Sequence, residues 1–343
     1  MLKVGIIGSG SIARNAHMPG YRAQKDAEVI AVCDVVPGRA AAFAQEFQIP
    51  RAYDSYQEML TKEQLDVVSV CTPNAAHHDT TIAALNAGLH VLCEKPIAMN
   101  LAEAREMVAT AHRQKRVLQI GLHWRFTSEA QMLKRLIDAG ELGQIYYGEA
   151  TCLCRRGIPS WGVFTQKELH GGGALIDIGV HTLDHTMWLM GNPRPVSVVG
   201  ATYAAFGKRD DVFNIWGKWD TSKFNVEDMG IGFVRFENGA TLVLRASWAA
   251  NIEKEFSETR VLGTEGGAFM RPLKIFKEMQ QTLVDITPSH LPEVKPHIEE
   301  VTHFLACARG EAECIVVLEQ VLDVQAVLDA VYRSAETGHE VIL

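Results

Sequence analysis

The sequence predicts two domains, an N-terminal α/β domain on a doubly wound parallel sheet and a C-terminal α+β domain on a mostly antiparallel sheet. Apolar strands alternate with amphipathic helices over the first third of the chain, which is typical of a parallel sheet covered on both faces. From about residue 142 to 284 the strands alternate apolar and polar residues and are joined by glycine turns. The length of 343 residues also suits two hydrophobic cores.

The first domain is expected to span residues 1–123 and the second residues 124–343. In the first, strands are predicted at residues 2–8, 28–34, 66–73, 90–95 and 117–123, with helices from residue 11 and at 37–48, 76–88 and about 100–114. In the second, Asn238-Gly239 predicts the tip of a β-hairpin. The chain ends in helices that begin near residues 296 and 318.

Composition excludes several classes of protein. A net charge of −8 and a pI near 5.9 argue against binding to nucleic acid or to anionic membranes. No apolar stretch approaches the roughly 20 residues of a membrane span, and the N-terminus lacks the features of a signal peptide. The seven cysteines lie mostly in apolar runs, which suits reduced thiols. We therefore expect a cytoplasmic protein.

A dinucleotide site is predicted at the first turn of the chain. Residues 8–13 fit the pattern G-x-G-x-x-A between the first strand and a helix, and the members expected to bind the cofactor are Gly8, Gly10, Ser11, Ile12 and Ala13. Asp34 ends the second strand, where a carboxylate accepts hydrogen bonds from both ribose hydroxyls and repels a 2′-phosphate. NAD is therefore favoured, and Arg39 nearby leaves NADP open.

Lys95 follows the fourth predicted strand in the sequence His90-Val91-Leu92-Cys93-Glu94-Lys95-Pro96. The carboxyl ends of parallel strands line the ligand crevice of an open α/β sheet. A surface lysine paired with Glu94 is the simpler interpretation. The apolar neighbours and the rigid proline instead favour a held, partly desolvated amine that is suited to hydrogen bonding or proton transfer.

A second cluster follows the triple glycine at residues 171–173. Asp177, His181 and His185 are spaced i, i+4 and i+8, so a helix would place them on one face. Three interpretations are open: a metal site, a hydrogen-bonded core stripe, and an acid–base pair in which Asp177 orients His181.

Taken together, these motifs resemble the glucose–fructose oxidoreductase / inositol dehydrogenase (Gfo/Idh/MocA) family. The resemblance rests on the glycine loop, Cys71-Thr72-Pro73-Asn74 with His77, Glu94-Lys95-Pro96 and the sequence around Asp177 and His181, and it covers essentially the whole chain. It implies a Rossmann domain and a second domain whose large open sheet forms a homodimer or homotetramer.

The resemblance also implies an NAD(P)-dependent oxidoreductase acting on a secondary alcohol or ketone of a sugar, cyclitol or sugar derivative. Lys95 would bond the reacting oxygen, Asp177 would bind substrate, and His181 would accept the proton. The expected cofactor contacts are extended to Thr72, Pro73, Asn74, His77, Glu94 and Lys95. The Lys95–Pro96 bond is expected to be cis, and a resident metal is not expected.

Substrate contacts are predicted at the end of the last parallel strand and in a later loop, by the side chains of His123, Trp124, Arg125 and Trp161. Aromatic rings stack on the apolar faces of sugars while polar groups bond the hydroxyls. Two other functions stay open: an NAD-binding sensor without turnover, and a metal-dependent hydrolase or isomerase using Asp177, His181 and His185.

Overall fold

The computed structural model describes all 343 residues. It divides into two compact units, Met1–Phe126 with Val294–Leu322, and Thr127–Glu293 with Asp323–Leu343. None of the helices combines the length and the apolar character that crossing a lipid bilayer requires.

The first unit contains a six-stranded parallel sheet in the order β3-β2-β1-β4-β5-β6. Its strands are β1 Leu2–Ile7, β2 Ala27–Cys33, β3 Arg51–Tyr53, β4 Val67–Val70, β5 His90–Cys93 and β6 Leu118–Ile120. This strand order is that of the dinucleotide-binding doubly wound fold. The predicted parallel sheet is confirmed. Only β3, a short edge strand, is additional, because three exposed or half-buried residues carry little apolar pattern.

The helices of the two units are given together in chain order. They are α1 Met18–Arg22, α2 Arg39–Phe47, α3 Tyr56–Lys62, α4 His77–Asn86, α5 Leu101–Gln114, α6 Ser128–Asp138, α7 Lys167–His170, α8 Val180–Leu189, α9 Pro296–Ala308 and α10 Leu318–Thr337. Two short π-helical segments, Ala13–His17 and Leu175–Gly179, lead directly into α1 and α8. Such segments are frequent at functional sites.

The second unit contains a nine-stranded sheet in the order β14-β13-β12-β11-β7-β10-β9-β8-β15. Its strands are β7 Ile145–Leu153, β8 Pro195–Tyr203, β9 Met229–Phe236, β10 Thr241–Ser247, β11 Phe256–Gly263, β12 Gly267–Phe269, β13 Lys274–Met279, β14 Thr282–Ile286 and β15 Val341–Ile342. All neighbouring pairs are antiparallel except β7 and β10. The hairpin at Asn238-Gly239 is confirmed between β9 and β10.

Residues Val294–Leu322 belong to the first unit, whereas the sequence places everything after residue 124 in the second domain. Val301, Phe304 and Leu305 of α9 lie in one buried cluster with residues of β1, α1, β4 and β5. The apolar pattern of α9 predicts a buried face but carries no information about which distant surface covers that face.

Candidate active site

The glycine loop after β1 leaves open space beside its backbone. Gly8 has a φ of +92°, and a Cβ added there would lie 2.7 Å from the carbonyl oxygen of Cys71. A Cβ added at Gly10 would meet no atom within 4 Å. Gly8 is therefore required by the fold, while the space beside Gly10 admits a ligand to the backbone. This is the role that the second glycine has in binding a pyrophosphate.

Asp34, which follows β2, is fixed beside this loop. Its Oδ2 accepts hydrogen bonds from the backbone N–H of Ser9 at 3.0 Å and from the Ser9 hydroxyl at 2.9 Å, and its Oδ1 accepts one from Val36 N at 2.9 Å. Arg39 lies 3.6 Å away. Partial burial raises the pKa of Asp34, but these hydrogen bonds and Arg39 outweigh it and lower the pKa below its usual value. The carboxylate is thus charged and held in place beside the glycine loop.

The segment Thr72-Pro73-Asn74 follows β4 at the same edge of the sheet. His77 ties it in place, because its ring nitrogens lie 2.8 Å from the Pro96 carbonyl oxygen and 3.0 Å from that of Thr72. The hydroxyl oxygen of Thr72 is buried and has no hydrogen-bond partner within the protein. The open space at Gly10 and this unsatisfied hydroxyl both fit a bound dinucleotide. His77 is itself fully buried. It holds the loop in place, and this role differs from its predicted role as a cofactor contact.

Glu94, predicted as a cofactor contact, turns its carboxylate into the unit. Its Oε1 lies 2.9 Å from Nε2 of His17, whose Nδ1 lies 2.9 Å from the Ser69 hydroxyl. The Glu94 Oε2 accepts the backbone N–H of Lys95 at 3.3 Å. Burial raises the pKa of Glu94, but the hydrogen bond and charge of His17, with Lys95 and His123, hold it at about 2. The Glu94 carboxylate therefore holds the backbone of Lys95 in place.

Lys95 lies at the carboxyl end of β5, the edge that also carries the glycine loop after β1 and Thr72 after β4. The expected cis bond between Lys95 and Pro96 is confirmed. The backbone on both sides of Lys95 is tied down, by Glu94 on one side and by the contact of the Pro96 carbonyl with His77 on the other.

The predicted substrate contacts after β6 divide into two groups. His123 stacks on the ring of His297 with centroids 4.0 Å apart, and Trp124 is half-buried beside it in sequence. Arg125 is completely buried and donates to the carbonyl oxygen of Ile315 at 2.8 Å and to Gln320 at 2.9 Å. Arg125 thus holds the returning C-terminal segment, which corrects its predicted contact with substrate.

In the second unit, Asp177 lies in the π-helical segment and His181 in the first turn of α8, and both are buried. The indole N–H of Trp248 donates to Oδ2 of Asp177 at 3.0 Å. The backbone N–H of Asp177 donates to the Gly173 carbonyl oxygen at 3.0 Å. The sequence missed Trp248, which is a lone aromatic at the end of a strand, although it fixes one carboxylate oxygen.

Glu227 and Tyr332 secure the start of this helical segment, and sequence reasoning missed both. Oε2 of Glu227 accepts the N–H of Gly173 at 2.8 Å, and Oε1 accepts that of Leu175 at 2.9 Å. The segment needs glycines here, because a Cβ at Gly173 would lie 1.8 Å from the Glu227 carbonyl oxygen. Burial raises the pKa of Glu227 against the pull of these hydrogen bonds. A buried acid thus fixes the helix that carries Asp177 and His181.

His185, one turn further along α8, lies in the core of the second unit. Its Nδ1 is 3.2 Å from the hydroxyl of Thr259 on β11, and its ring stacks on Trp188. Nowhere in the chain are three or more His, Cys, Asp or Glu side chains grouped so that they could hold a metal ion. Asp177, His181 and His185 are therefore not grouped as the ligands of a metal ion would be.

Trp161 lies in the loop after β7 and is about half exposed. Its ring contacts Phe164 and Trp216, with centroid distances of 6.3 and 5.1 Å. The structure thus places the predicted substrate residue in a surface aromatic cluster whose other tryptophan lies far away in the sequence.

Family models match both parts of the chain. Residues 2–122 match the model described as "Oxidoreductase family, NAD-binding Rossmann fold", and residues 130–269 match the Gfo/Idh/MocA C-terminal domain. D-glucoside 3-dehydrogenase of Escherichia coli is 38% identical over 343 residues, which is all of this chain and 97% of that protein. 1,5-Anhydro-D-fructose reductase of Ensifer adhaerens is 31% identical, over 79% of this chain and 76% of its own length.

Solved structures share the fold over nearly the whole length. Levoglucosan dehydrogenase in complex with NADH superposes with a TM-score of 0.86 at 23% identity, over 99% of this chain and 98% of the other. Aldose–aldose oxidoreductase of Caulobacter crescentus gives a TM-score of 0.82 at 25% identity, over 100% of this chain and 99% of the other. The architecture described above is that of these proteins.

Proposed function

The chain belongs to the Gfo/Idh/MocA family of NAD-binding oxidoreductases, and from this membership we propose that it oxidises a secondary alcohol on the ring of a neutral sugar or glycoside. The observation that carries the proposal is the shared sheet edge, where Lys95 follows β5 beside the glycine loop after β1. Family membership makes it an NAD-dependent enzyme; the substrate and the role of each residue are our proposal.

Lys95 polarises the reacting oxygen. Its ammonium group donates a hydrogen bond to the substrate hydroxyl and stabilises the negative charge that develops on that oxygen as the proton leaves. Support comes from the fixed backbone at Glu94 and Pro96, because a held charge costs less reorganisation than a mobile one.

His181 accepts the proton of the alcohol, since a histidine changes charge near neutral pH. Asp177 binds a substrate hydroxyl through one carboxylate oxygen while Trp248 holds the other. Bound NAD⁺ supplies the hydride acceptor at the reacting carbon. Asp34 holds the ribose of the cofactor, and its charge makes NAD⁺ preferred over NADP⁺.

A glycoside is favoured as substrate over a cyclitol. The relative with 38% identity over the full length is a D-glucoside 3-dehydrogenase, and at this identity over the whole chain we carry its substrate class, but not its exact compound, to this protein. Trp161, Trp124 and His123 provide the ring surfaces and polar groups that a pyranose needs.

We also propose that the protein assembles as a homodimer or homotetramer through the sheet of the second unit. This sheet exposes apolar side chains on several strands, among them Tyr146, Val199 and Tyr203. Seven cysteines free of disulfides favour a reducing compartment, the cytoplasm. Light scattering after size exclusion tests the assembly, and a monomeric mass would contradict it.

The test of function measures NAD⁺ reduction by the purified protein with methyl glucosides, free aldoses, inositols and levoglucosan. We expect turnover with a glucoside, and a loss of about 10²–10⁴ in kcat for Lys95→Ala and for His181→Ala. Lys62→Ala, at an exposed lysine of α3, is the matched control and should retain full activity.

The rival function is an NAD-binding sensor without turnover. It predicts tight NADH binding with no reduction of NAD⁺ on any sugar of the panel. If Lys95→Ala turns over as fast as the wild type, the protein is still a dehydrogenase, but Lys95 does not have the proposed role.

A further inference from the structure

The connection between β8 and β9, from Tyr203 to Met229, is unusually long and contains only one turn of 3₁₀ helix, at Thr221–Lys223. Connections longer than about 12–15 residues without regular structure are uncommon in compact domains, and they are mostly functional or disordered. This one is highly ordered by its hydrogen bonds. Function is therefore the better explanation for its length.

Asp228 and Trp219 fix the base of this loop. The Asp228 carboxylate accepts the backbone N–H groups of Ala205, Phe206 and Gly207 at 3.2, 2.6 and 2.8 Å. The indole N–H of Trp219 donates to the Gly207 carbonyl oxygen at 2.6 Å. A buried acid that satisfies three N–H groups anchors the loop to the end of the sheet.

The tip of the loop is joined to the loop after β7. Asn214 accepts the N–H of Ile158 at 3.0 Å and donates to its carbonyl oxygen at 2.8 Å. The N–H of Ile215 donates to the Arg156 carbonyl oxygen at 3.2 Å, and the Ser160 hydroxyl donates to that of Trp216. The two loops therefore form one body.

This body exposes large apolar side chains. Phe213 is 74% exposed, Ile215 56%, Trp161 49% and Trp216 44%. Rigid loops that hold apolar side chains in water, instead of burying them, mark a binding surface. Phe213 and Ile215 line a groove of about 630 Å³, together with the charged residues Arg155, Arg156, Glu253, Lys254 and Glu255. We call it the aromatic groove. Its volume is within the range of ligand sites.

The charges of the groove favour a neutral ligand. Glu253 and Glu255 offset two of the three cations that line the groove, Arg155, Arg156 and Lys254, so little net charge is left to hold a phosphate or a sugar nucleotide. Arg156 is committed to the protein, since its guanidinium donates to the Ala250 carbonyl oxygen at 2.9 Å and to Asn251 at 2.6 Å. A lining that combines two apolar side chains with several polar groups matches a pyranose, which has an apolar face and hydroxyls at its edge.

The groove is connected to the proposed substrate residues through Trp248. The N–H of Gly157 donates to the Trp248 carbonyl oxygen at 2.7 Å, and the Trp248 indole donates to Asp177 at 3.0 Å. Gly157 packs against Trp216, because a Cβ there would lie 3.3 Å from its ring. Gly157 of the loop body is thus bonded directly to Trp248, the residue that holds Asp177.

We propose that the aromatic groove binds the second pyranose ring of a glycoside, beyond the ring that is oxidised. The proposal rests on the proposed function, because it extends that substrate by one sugar. It makes Phe213 and Ile215 determinants of specificity for disaccharides, with Trp216 holding the loop body against Gly157.

The test compares kcat/KM for methyl β-D-glucopyranoside with that for cellobiose, maltose and trehalose, in the wild type and in Phe213→Ala. Phe213 is exposed, so its removal leaves the core intact. We expect at least one disaccharide to lose about 10-fold in kcat/KM while the methyl glucoside changes less than about two-fold. Val317→Ala, 40% exposed between α9 and α10 and outside both sheets, is the control and should change neither.

A uniform effect on all sugars, or none on any disaccharide, would overturn the subsite and leave the dehydrogenase intact. If no sugar is oxidised, calorimetric titration of the three disaccharides into the protein with NADH decides independently. Binding that Phe213→Ala removes supports the groove, and absence of binding overturns it. A change of oligomeric state in Phe213→Ala or Trp216→Ala would assign the surface to a second copy of the chain and also overturn the proposal.

Discussion

The phenol of Tyr332 donates a hydrogen bond of 2.9 Å to the carboxylate of Glu227, which at the same time accepts the N–H groups of Gly173 and Leu175. Tyr332 lies on α10 and Glu227 just before β9, so two remote segments meet at the start of one helical segment. Both side chains are therefore expected to position Asp177 rather than to contact substrate.

In Glu227→Gln, an amide N–H₂ group replaces one carboxylate oxygen. This group cannot accept the hydrogen bond that a backbone N–H or the phenol of Tyr332 donates there. An unsatisfied buried donor costs about 1–3 kcal/mol. We expect the free energy of unfolding to fall by that amount and kcat to fall about 10-fold, with the KM for NAD⁺ unchanged. Tyr332→Phe should follow in the same direction with a smaller effect. Urea unfolding and steady-state kinetics measure both quantities.

Glu336→Gln is the matched control, since Glu336 is an exposed acid of α10 whose ion pair with Lys167 is 3.7 Å long. Loss of stability in Glu227→Gln without any loss of kcat would show that the pair serves the fold alone.

Gly10→Ala should separate folding from cofactor binding. A Cβ at Gly10 meets nothing in the protein, so the melting temperature without nucleotide should stay the same. The methyl group occupies the space beside the backbone, so NADH affinity should fall at least about 10-fold. Gly8→Ala is the contrast, because its positive φ and the contact with Cys71 predict a destabilised protein. NADH affinity is measured by fluorescence titration. If it is unchanged in Gly10→Ala, the diphosphate does not bind beside Gly10.

Asp34→Ser should change the preference between the two cofactors. The wild type is expected to favour NAD⁺, because the Asp34 carboxylate is charged at neutral pH. Without that charge, Arg39 is free to meet a 2′-phosphate. We expect kcat/KM to fall about 10-fold for NAD⁺ and to rise for NADP⁺. Equal losses for both cofactors would refute this role, and Asp54→Ser controls for the loss of a nearby acid.

Glu300→Gln should stabilise the protein increasingly as the pH rises. Burial, then the charge of Glu94, raise the pKa of Glu300 well above its usual value, so the folded state keeps a proton that the unfolded state loses near pH 4.5. The wild type therefore loses stability as the pH climbs from that point towards the folded pKa, whereas a glutamine does not titrate. The stability difference should grow by about 1.4 kcal/mol per pH unit.

Urea unfolding at pH 5 and pH 7 measures that difference. Glu299→Gln, at the exposed neighbour, should show no such trend. A constant difference between Glu300→Gln and the wild type over this range would mean that Glu300 is ionised in the folded protein.

Features encoded by adjacent residues could be read from the sequence. The parallel strands, the glycine loop with Asp34 and the hairpin at Asn238-Gly239 each depend on a local pattern, and all appear in the structure. The position of Lys95 at the carboxyl edge of the sheet could be predicted for the same reason, because Lys95 closely follows the end of a strand.

Features that depend on remote partners could not be read. The sequence placed Arg125 in the substrate cleft, because no residue near it in the sequence indicates that its hydrogen-bond acceptors are Ile315 and Gln320. Glu227 looked like an ordinary acid in a loop, although its buried carboxylate fixes the helical segment of Asp177. Such contacts arise only when distant segments pack together, so periodicity and spacing carry no trace of them.

The return of Val294–Leu322 to the first unit has a consequence for biosynthesis. Leu322 follows Phe126 by 196 positions, so at about 5–20 residues per second the ribosome needs roughly 10–39 s to supply the missing part. During that time Val4, Tyr21, Val67 and Leu92 lack the apolar cover of α9. The nucleotide-binding unit, although begun first, is thus completed only after most of the second unit has been made, and the nascent chain exposes its unfinished core to chaperones in the interval.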